Sequence, residues 1–427
     1  KMLITSRRRM RVSGEYVVAV PTLGVPPSGD DCDPVSGESP HDAVRLFADR
    51  AAAVRGDFQL TQQNVADIRA ICQRLDGLPL AIELAAARSD ALSPPTLRAL
   101  LESRLMLLTG GAQDAPARHQ TMQQAISWSS DLLTPEERLA FARLAVFSGG
   151  FGLGDAAAVV AEGMSPSHML ETLLMLMEQS LIVPVAAHKT DLEPRFLMLE
   201  TIREVALGQL QARREEEQTR QRHAEHFRHV AAQAKLDLNG FRQREWMDRL
   251  DRDIHNIRAA LSWAISAGQA DLALGLAGDL LMFWLKRAHV AEGRAWLARA
   301  LALPPGQASP VRLHAMVASC VMAGPSGDLP RAAQALAMAQ ALGDLAAEGR
   351  LRTLHGSPIL TTQPEAAREH FERALALHEA ADDQPWRAAT LMMLGLAAGR
   401  LGQPEQAVVY LEAAIAALAA FRAAVAR

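Results

Sequence analysis

The sequence predicts a mainly α-helical chain that finishes in a stacked array of helix pairs. Three observations predict it. Alanine and leucine, both strong helix formers, dominate a chain of 427 residues in which aromatics make up only 4%. Apolar residues recur at helical spacing along nearly all of the sequence after residue 38, while strand-like runs are few and short. One pattern of small and bulky residues returns four times from residue 290 onward.

Met-Leu-Ile-Thr at 2–5 reads as a buried strand that delivers Ser6 and then Arg7, Arg8 and Arg9 to its C-terminal end. YVVAV at 16–20 is a second strand-like run, and residues 21–40, rich in Gly, Pro, Ser and Asp, read as a loop. Helical periodicity starts in SPHDAVRLFADRAAAV, where Ser39 or Asp42 can cap and Val44, Phe47 and Ala51 share a face. TQQNVADIRAICQRL sets Val65, Ile68, Ile71, Cys72 and Leu75 on one stripe and stops at Gly77, a natural C-terminal break. Pro79 then opens the next helix at its first turn, where a missing N–H costs little.

A third helical group runs from HQTMQQAISWSSDLL through TPEERLAFARLAVF to GDAAAVVAE, with Thr134 capping and Pro135 in the first helical position. SPSHMLETLLMLMEQ starts by the same Ser-Pro logic. Two short strands follow, SLIVPVA and PRFLML, joined by a polar loop at 187–194. Helices followed by two strands form a winged-helix order. ETIREVALGQL returns to helix, and from about residue 215 everything is helical.

In that last region VAEGRAWLARALAL, LPRAAQALAMAQAL, QPEAAREHFERALAL and QPEQAVVYLEAAIAAL align, placing Gly293, Ala333, Ala367 and Ala407 at equivalent positions separated by 40, 34 and 40 residues. Small residues at fixed points let two helices pack closely, and each pair then stacks on the next. The pattern resembles degenerate tetratricopeptide repeats. Trp246, Trp263, Trp284 and Trp296 cluster early in the region and read as inter-helix core rather than as a concave partner surface.

A net charge of −4 provides no general basic field for nucleic acid. Cys32, Cys72 and Cys320 are odd in number, far apart and without metal-ligand spacing, which fits a reducing cytoplasm. No signal peptide is recognisable, and the apolar run at 272–285 is interrupted by Asp279 and too short to span a bilayer, so no membrane association is expected. His223, His226 and His229 recur every three residues with no carboxylate to complete a metal set, and read as a solvated helix face. Between Leu144 and His188 there is no Lys or Arg. DNA affinity rests on neutralising phosphates, so the winged helix is expected to pack and switch rather than to read DNA. Its Met169, Met175 and Met177 read as core.

Three stretches, LITSR at 3–7, CQRLDGLPLAIELAAAR at 72–88 and FLMLETIREVA at 196–206, occur in an order that resembles STAND-type P-loop NTPases of the NB-ARC-like class found in bacterial multidomain regulators. The resemblance spans essentially the whole chain. It implies a remnant of an α/β nucleotide-binding core at 1–25, a small helical domain at 38–115, a winged helix at 116–212 and a tetratricopeptide-like α-solenoid at 215–427. It further implies that Thr5 and Arg7 end a sensor strand whose arginine faces the terminal phosphate; a guanidinium offers donors in fixed geometry for that job. Gly77 and Pro79 match the segment whose proline packs near the adenine. Met198, Leu199 and Glu200 match the family's Met-His-Asp, with leucine in place of the phosphate-reading histidine.

No G-x-x-x-x-G-K-[ST] motif and no acidic strand end for magnesium occur in the sequence. The chain is therefore expected to begin inside the core domain and not to hydrolyse nucleotide by itself; no catalytic or metal-binding residue is assigned. ATP or ADP with Mg²⁺ would belong to a longer protein. The expected function is a signal-transducing regulator, transcriptional in its full length. Its repeats would sense a protein or small-molecule ligand, DNA would be met only through another domain, and activation could proceed by oligomerisation. A nucleotide-independent repeat scaffold for protein–protein interaction is the alternative, and the Leu199 substitution favours it slightly.

Overall fold

The computed structural model describes residues 16, 18, 20–25, 42–103, 126, 129–160, 166–185, 193–238, 240–304, 308–324 and 328–425. Thr5, Arg7, Ser39 and Cys32 lie outside the described residues, as does most of the predicted helix at 119–133. The chain divides into two compact units, residues 1–219 and 220–427.

In the first unit, helices α1 (Asp42–Val54), α2 (Val65–Arg74), α3 (Pro79–Ala86) and α4 (Pro94–Ser103), with a 3-10 turn at Ala87–Asp90, surround one core. The predicted stripes supply it: Val44, Phe47, Ile68, Ile71, Cys72 and Leu75 are fully or almost fully buried, and Leu23 and Val25 lean on them from the preceding segment. Burial of this kind stabilises by roughly 1.5–3 kcal/mol per large side chain. It also pushes the Cys72 thiol up to about 12, so that cysteine is an inert core residue.

The second half of the unit holds α5 (Pro135–Leu144), α6 (Leu153–Val160), α7 (Pro166–Glu178) and α8 (Glu200–Ala212). Thr134 begins α5 with the expected cap, and the structure makes it reciprocal: its hydroxyl accepts from the Glu137 amide at 3.2 Å, and the Glu137 carboxylate accepts from the Thr134 amide at 2.8 Å. The two predicted strands are present as β2 (Val183–Pro184) and β3 (Arg195–Leu197), and they pair antiparallel. A further strand, β1 (Phe151–Gly152), pairs on the other edge of β3 and gives the order β1-β3-β2. Two residues are too few for period-2 alternation to show, so β1 was invisible in the sequence. Met169 is buried, as expected of a core position, whereas Met175 and Met177 are only half-buried.

α9 (Glu216–Asp237) leads into the second unit, which continues with α10 (Gln243–Ser266), α11 (Ala270–Asp279), α12 (Leu281–Lys286) and α13 (Val290–Leu301). The apolar run at 272–285 is thus two helices meeting at Leu280. Trp246, Trp263 and Trp284 are buried, whereas Trp296 is half-buried with the Arg299 guanidinium 4.6 Å from its ring centre. The solvated reading of the histidine triplet fails at His223. That ring is buried with Nε2 3.3 Å from Asn256 Oδ1 on α10; only His229 is exposed.

Helices α14 (Pro310–Ala323), α15 (Leu329–Leu342), α16 (Leu345–Ile359), α17 (Pro364–Ala380), α18 (Gln384–Arg400) and α19 (Pro404–Val425) complete the array, each packed against the next. The small-residue positions hold at Gly293 and Ala367, both buried, while Ala407 is half-buried. In the second copy the packed alanine is Ala332, not Ala333, which is exposed. Ala332 is the fourth residue of its helix, as Gly293, Ala367 and Ala407 are of theirs. An alanine-alanine pair left the register ambiguous by one, and helix starts resolve it. Residues 404–421 of α19 are long and apolar enough to cross a membrane, by length and composition only.

Candidate functional site

Two of the motifs singled out in the sequence meet inside the first unit. The turn after α2 is tight: Asp76 and Gly77 both have positive φ, 54° and 65°. The Gly77 amide donates to the Cys72 carbonyl at 3.1 Å, which ends the helix, and Leu78 donates back to Leu75 at 3.0 Å. Gly77 is also where the backbone of residues 23–25 comes closest. Leu23 donates to the Gly77 carbonyl at 3.0 Å, and a β-carbon on Gly77 would lie 2.3 Å from the Leu23 carbonyl oxygen. Glycine is required here on both counts. Pro79 occupies the first turn of α3, as predicted, and is exposed.

The second motif starts α8. Leu199 is the N-cap residue in extended conformation and offers no capping side chain. Its place is taken from a distance of more than a hundred residues: the Thr201 amide donates to the Asp76 carboxylate at 3.3 Å. Next to this contact Arg74 Nη1 donates to Glu200 Oε1 at 2.7 Å, and Arg203 Nε donates to Glu200 Oε2 at 2.7 Å. Arg203 Nη1 donates at 3.3 Å to the carbonyl of Ala145, just past α5. One carboxylate therefore ties the end of α2 to the start of α8, and a second carboxylate caps that helix.

The electrostatics follow from burial. Loss of solvent pushes Asp76 up to about 6, against the opposing pull of the Thr201 and Glu200 amides and of Arg74, with the neighbouring Glu200 charge adding to the rise. Glu200 is desolvated too, but hydrogen bonds and charge from Arg203 and Arg74 outweigh that and hold it below the ordinary carboxylate range. Arg203 is raised, chiefly by its hydrogen bond to Glu200. Two buried polar atoms in the same joint, Arg74 Nε and Thr201 Oγ1, make no hydrogen bond.

Of the predicted site residues, Gly77 lies in this joint and Pro79 beside it; Arg7 and Thr5 fall outside the described residues. The sequence reading assigns no role to Asp76, Arg74, Thr201 or Arg203, and matches Glu200 to the Met-His-Asp segment without giving it a partner. At this joint Leu199 offers no side-chain donor, and Arg74 and Arg203 are already engaged by Glu200. Among the described residues no group of three His, Cys, Asp or Glu side chains could hold a metal ion.

The profile of a tetratricopeptide-repeat family matches residues 360–420. The C-terminal helix pairs are tetratricopeptide repeats. The matched stretch takes in α17, α18 and most of α19, so the apolar composition of α19 belongs to a repeat helix. The chain is 35% identical over 396 residues to proteins of Mycobacterium tuberculosis and Mycobacterium bovis named "Putative HTH-type transcriptional regulator". The alignment takes in 90% of this chain and 43% of those proteins. The chain is homologous to these regulators and spans less than half of their length. An uncharacterised protein of Mycobacterium tuberculosis is 42% identical over 160 residues, 38% of this chain and 37% of that protein. Among solved structures, the Signal Transduction ATPase with Numerous Domains (STAND) protein with a tetratricopeptide repeat sensor from Pyrococcus horikoshii aligns over 88% of this chain and 59% of its own, at 13% identity and a TM-score of 0.30.

Proposed function

We propose that the chain belongs to a STAND-type transcriptional regulator, in which the tetratricopeptide repeats sense a protein or small-molecule ligand and the first unit passes that signal on. The observation that carries this reading is the meeting of the DGLP turn with the start of the LETIR helix. These are two of the three stretches that resemble the family, and they are joined by Asp76–Thr201 and Arg74–Glu200 contacts. Homology to regulators carrying a DNA-binding name supports a transcriptional output, delivered by a domain other than the winged helix described above. In this reading the small helical domain and the winged helix are parts that repack when nucleotide is exchanged in a core domain, with ATP or ADP and Mg²⁺ held by residues beyond this chain. Arg7 and Thr5 would face the phosphates, and Gly77 and Pro79 would border the base. The protein would act in the cytoplasm.

The test is a nucleotide titration on the longer protein that contains this chain, with Arg7→Ala alongside. Tight binding that weakens at least tenfold in the variant supports the reading; equal affinity and turnover removes Arg7 from the site. A phosphate-loop motif encoded upstream would support the reading. Its absence leaves the second reading, a nucleotide-independent repeat scaffold, which Leu199 in the place of a phosphate-reading histidine favours.

A further inference from the structure

We propose that Asp76, Arg74 and Glu200 form a releasable clasp that holds the winged helix against the helical domain, with Asp76 acting as the missing N-cap of α8. The inference deepens the proposed switch and rests on it for its biological meaning, but its physical content stands on the geometry of the joint. α8 begins at a leucine that cannot cap. The first amides of a helix have no partner of their own, and the positive end of the helix dipole favours a carboxylate there. Asp76 supplies that carboxylate from a different domain, held in place by the positive φ of its own turn. Glu200, the first residue of α8, reaches the opposite way to Arg74 at the end of α2. Both contacts run from the end of α2 and its turn to the start of α8, so parting these two segments breaks both at once.

The clasp is built to open rather than to lock. Its groups are charged or polar, so water can replace each of them when the joint parts. Arg74 is about one-third exposed and Glu200 one-quarter exposed, so solvent already reaches the pair. Arg74 Nε and Thr201 Oγ1 are buried without partners, which leaves the closed form short of two hydrogen bonds that an open form gains from water. Arg203 stays with Glu200 in either state, because both lie on the first turns of α8, three residues apart.

The experiment is amide hydrogen exchange on the full 427-residue chain, comparing Asp76→Ala, Asp76→Asn, Arg74→Gln and the parent. Asp76→Ala removes the cap, and Asp76→Asn keeps an oxygen acceptor in its place. Expected is at least a tenfold faster exchange at Thr201–Arg203 and at Asp76–Leu78 in Asp76→Ala and Arg74→Gln. Asp76→Asn should restore the parent rate at Thr201, and the amides of α5 should stay unchanged in all three. Equal exchange in Asp76→Ala and the parent would overturn the proposal. So would acceleration spread through the core helices, which would make these residues fold-stabilising rather than a clasp, and so would Asp76→Asn behaving as Asp76→Ala. Should Asp76→Ala fail to fold, Glu200→Gln with the same readout decides between these outcomes. None of the measurements involves nucleotide, so failure of the nucleotide titration leaves the clasp result intact, and the converse holds.

Discussion

Gly77 sits in the turn that carries the candidate joint, and alanine there perturbs two things whose sizes follow from the structure. The first is backbone conformation: φ is +65°, a region that costs an L-residue about 1–2 kcal/mol. The second is space. The new β-carbon would stand 2.3 Å from the Leu23 carbonyl oxygen and 3.0 Å from Val25 Cγ2, where ordinary contact begins at 3.4 Å. Leu23 is backbone, so the segment at 21–25 must retreat by about the missing ångström. That breaks the Leu23 amide to Gly77 carbonyl bond of 3.0 Å, worth about 1 kcal/mol, and lifts Leu23 and Val25 partly off the core at a further cost of roughly 1 kcal/mol. The expected loss for the first unit is therefore about 3–4 kcal/mol. Urea unfolding followed by fluorescence and circular dichroism measures it, and a shift of roughly 6–16 °C in Tm should accompany it for a unit of this size. A change below about 0.5 kcal/mol would refute the reasoning, since neither the turn nor the approach of residues 21–25 could then be as described.

Glu200→Gln removes the carboxylate charge to which Arg74 and Arg203 both hydrogen-bond; because the group is three-quarters buried, the first unit should lose about 1–3 kcal/mol in chemical denaturation. For Asp76 the pH dependence has a definite sign. Its carboxyl is raised from 3.8 to about 6 in the fold, so its stabilising contribution is full below pH 4 and is lost as pH rises through 6. The first unit should thus gain up to about 3 kcal/mol from this group on acidification from pH 7 towards 4, in a pH series of urea midpoints. Glu200 works the other way below its ordinary range, because its folded form is held ionised by Arg203 and Arg74. Asp76→Asn should flatten the gain and be at least as stable as the parent at pH 7. In the repeats, Gly356→Ala would put a β-carbon 2.6 Å from the Phe371 ring, and the second unit should lose about 1–3 kcal/mol, seen as a lower midpoint for its own unfolding transition.

Much of the fold was readable from local rules. The stripe of Val65, Ile68, Ile71 and Leu75, the stop at Gly77, the start at Pro79 and the Thr134 capping box are all set within a few residues, and all of them stand in the structure. The site was readable only in part. Gly77 stood out because a helix stop and a motif coincide there. Asp76 and Arg203 did not, and Glu200 stood out only as a motif match without a partner, because each looks like an ordinary surface charge until the chain brings positions some 125 residues apart together. The one available hint was negative: a helix beginning at Leu199 with nothing to cap it. His223 was misread for the same reason, since its partner Asn256 lies on the next helix.

The chemistry of the joint bears on why a switch would use it. An apolar interface of the same extent would resist opening in proportion to its area, roughly 25 cal/mol per Å², and would leave a hydrophobic patch prone to association once parted. A joint made of Asp76, Arg74 and Glu200 behaves differently. Its groups lose much of their attraction to desolvation while closed, as the raised Asp76 pKa records, and recover hydration when open. On the proposed reading the closed and open forms lie close in free energy, while the Asp76 cap and the Arg74–Glu200 pair define how α8 meets the α2–α3 turn in the closed one. A small bias, of the size that differential ligand binding supplies, is then enough to move such an equilibrium, since each 1.4 kcal/mol changes a population ratio about tenfold. If the chain works as the proposed switch, its point of control is the turn at 74–77 with the start of α8, and single substitutions there should change how readily the joint opens.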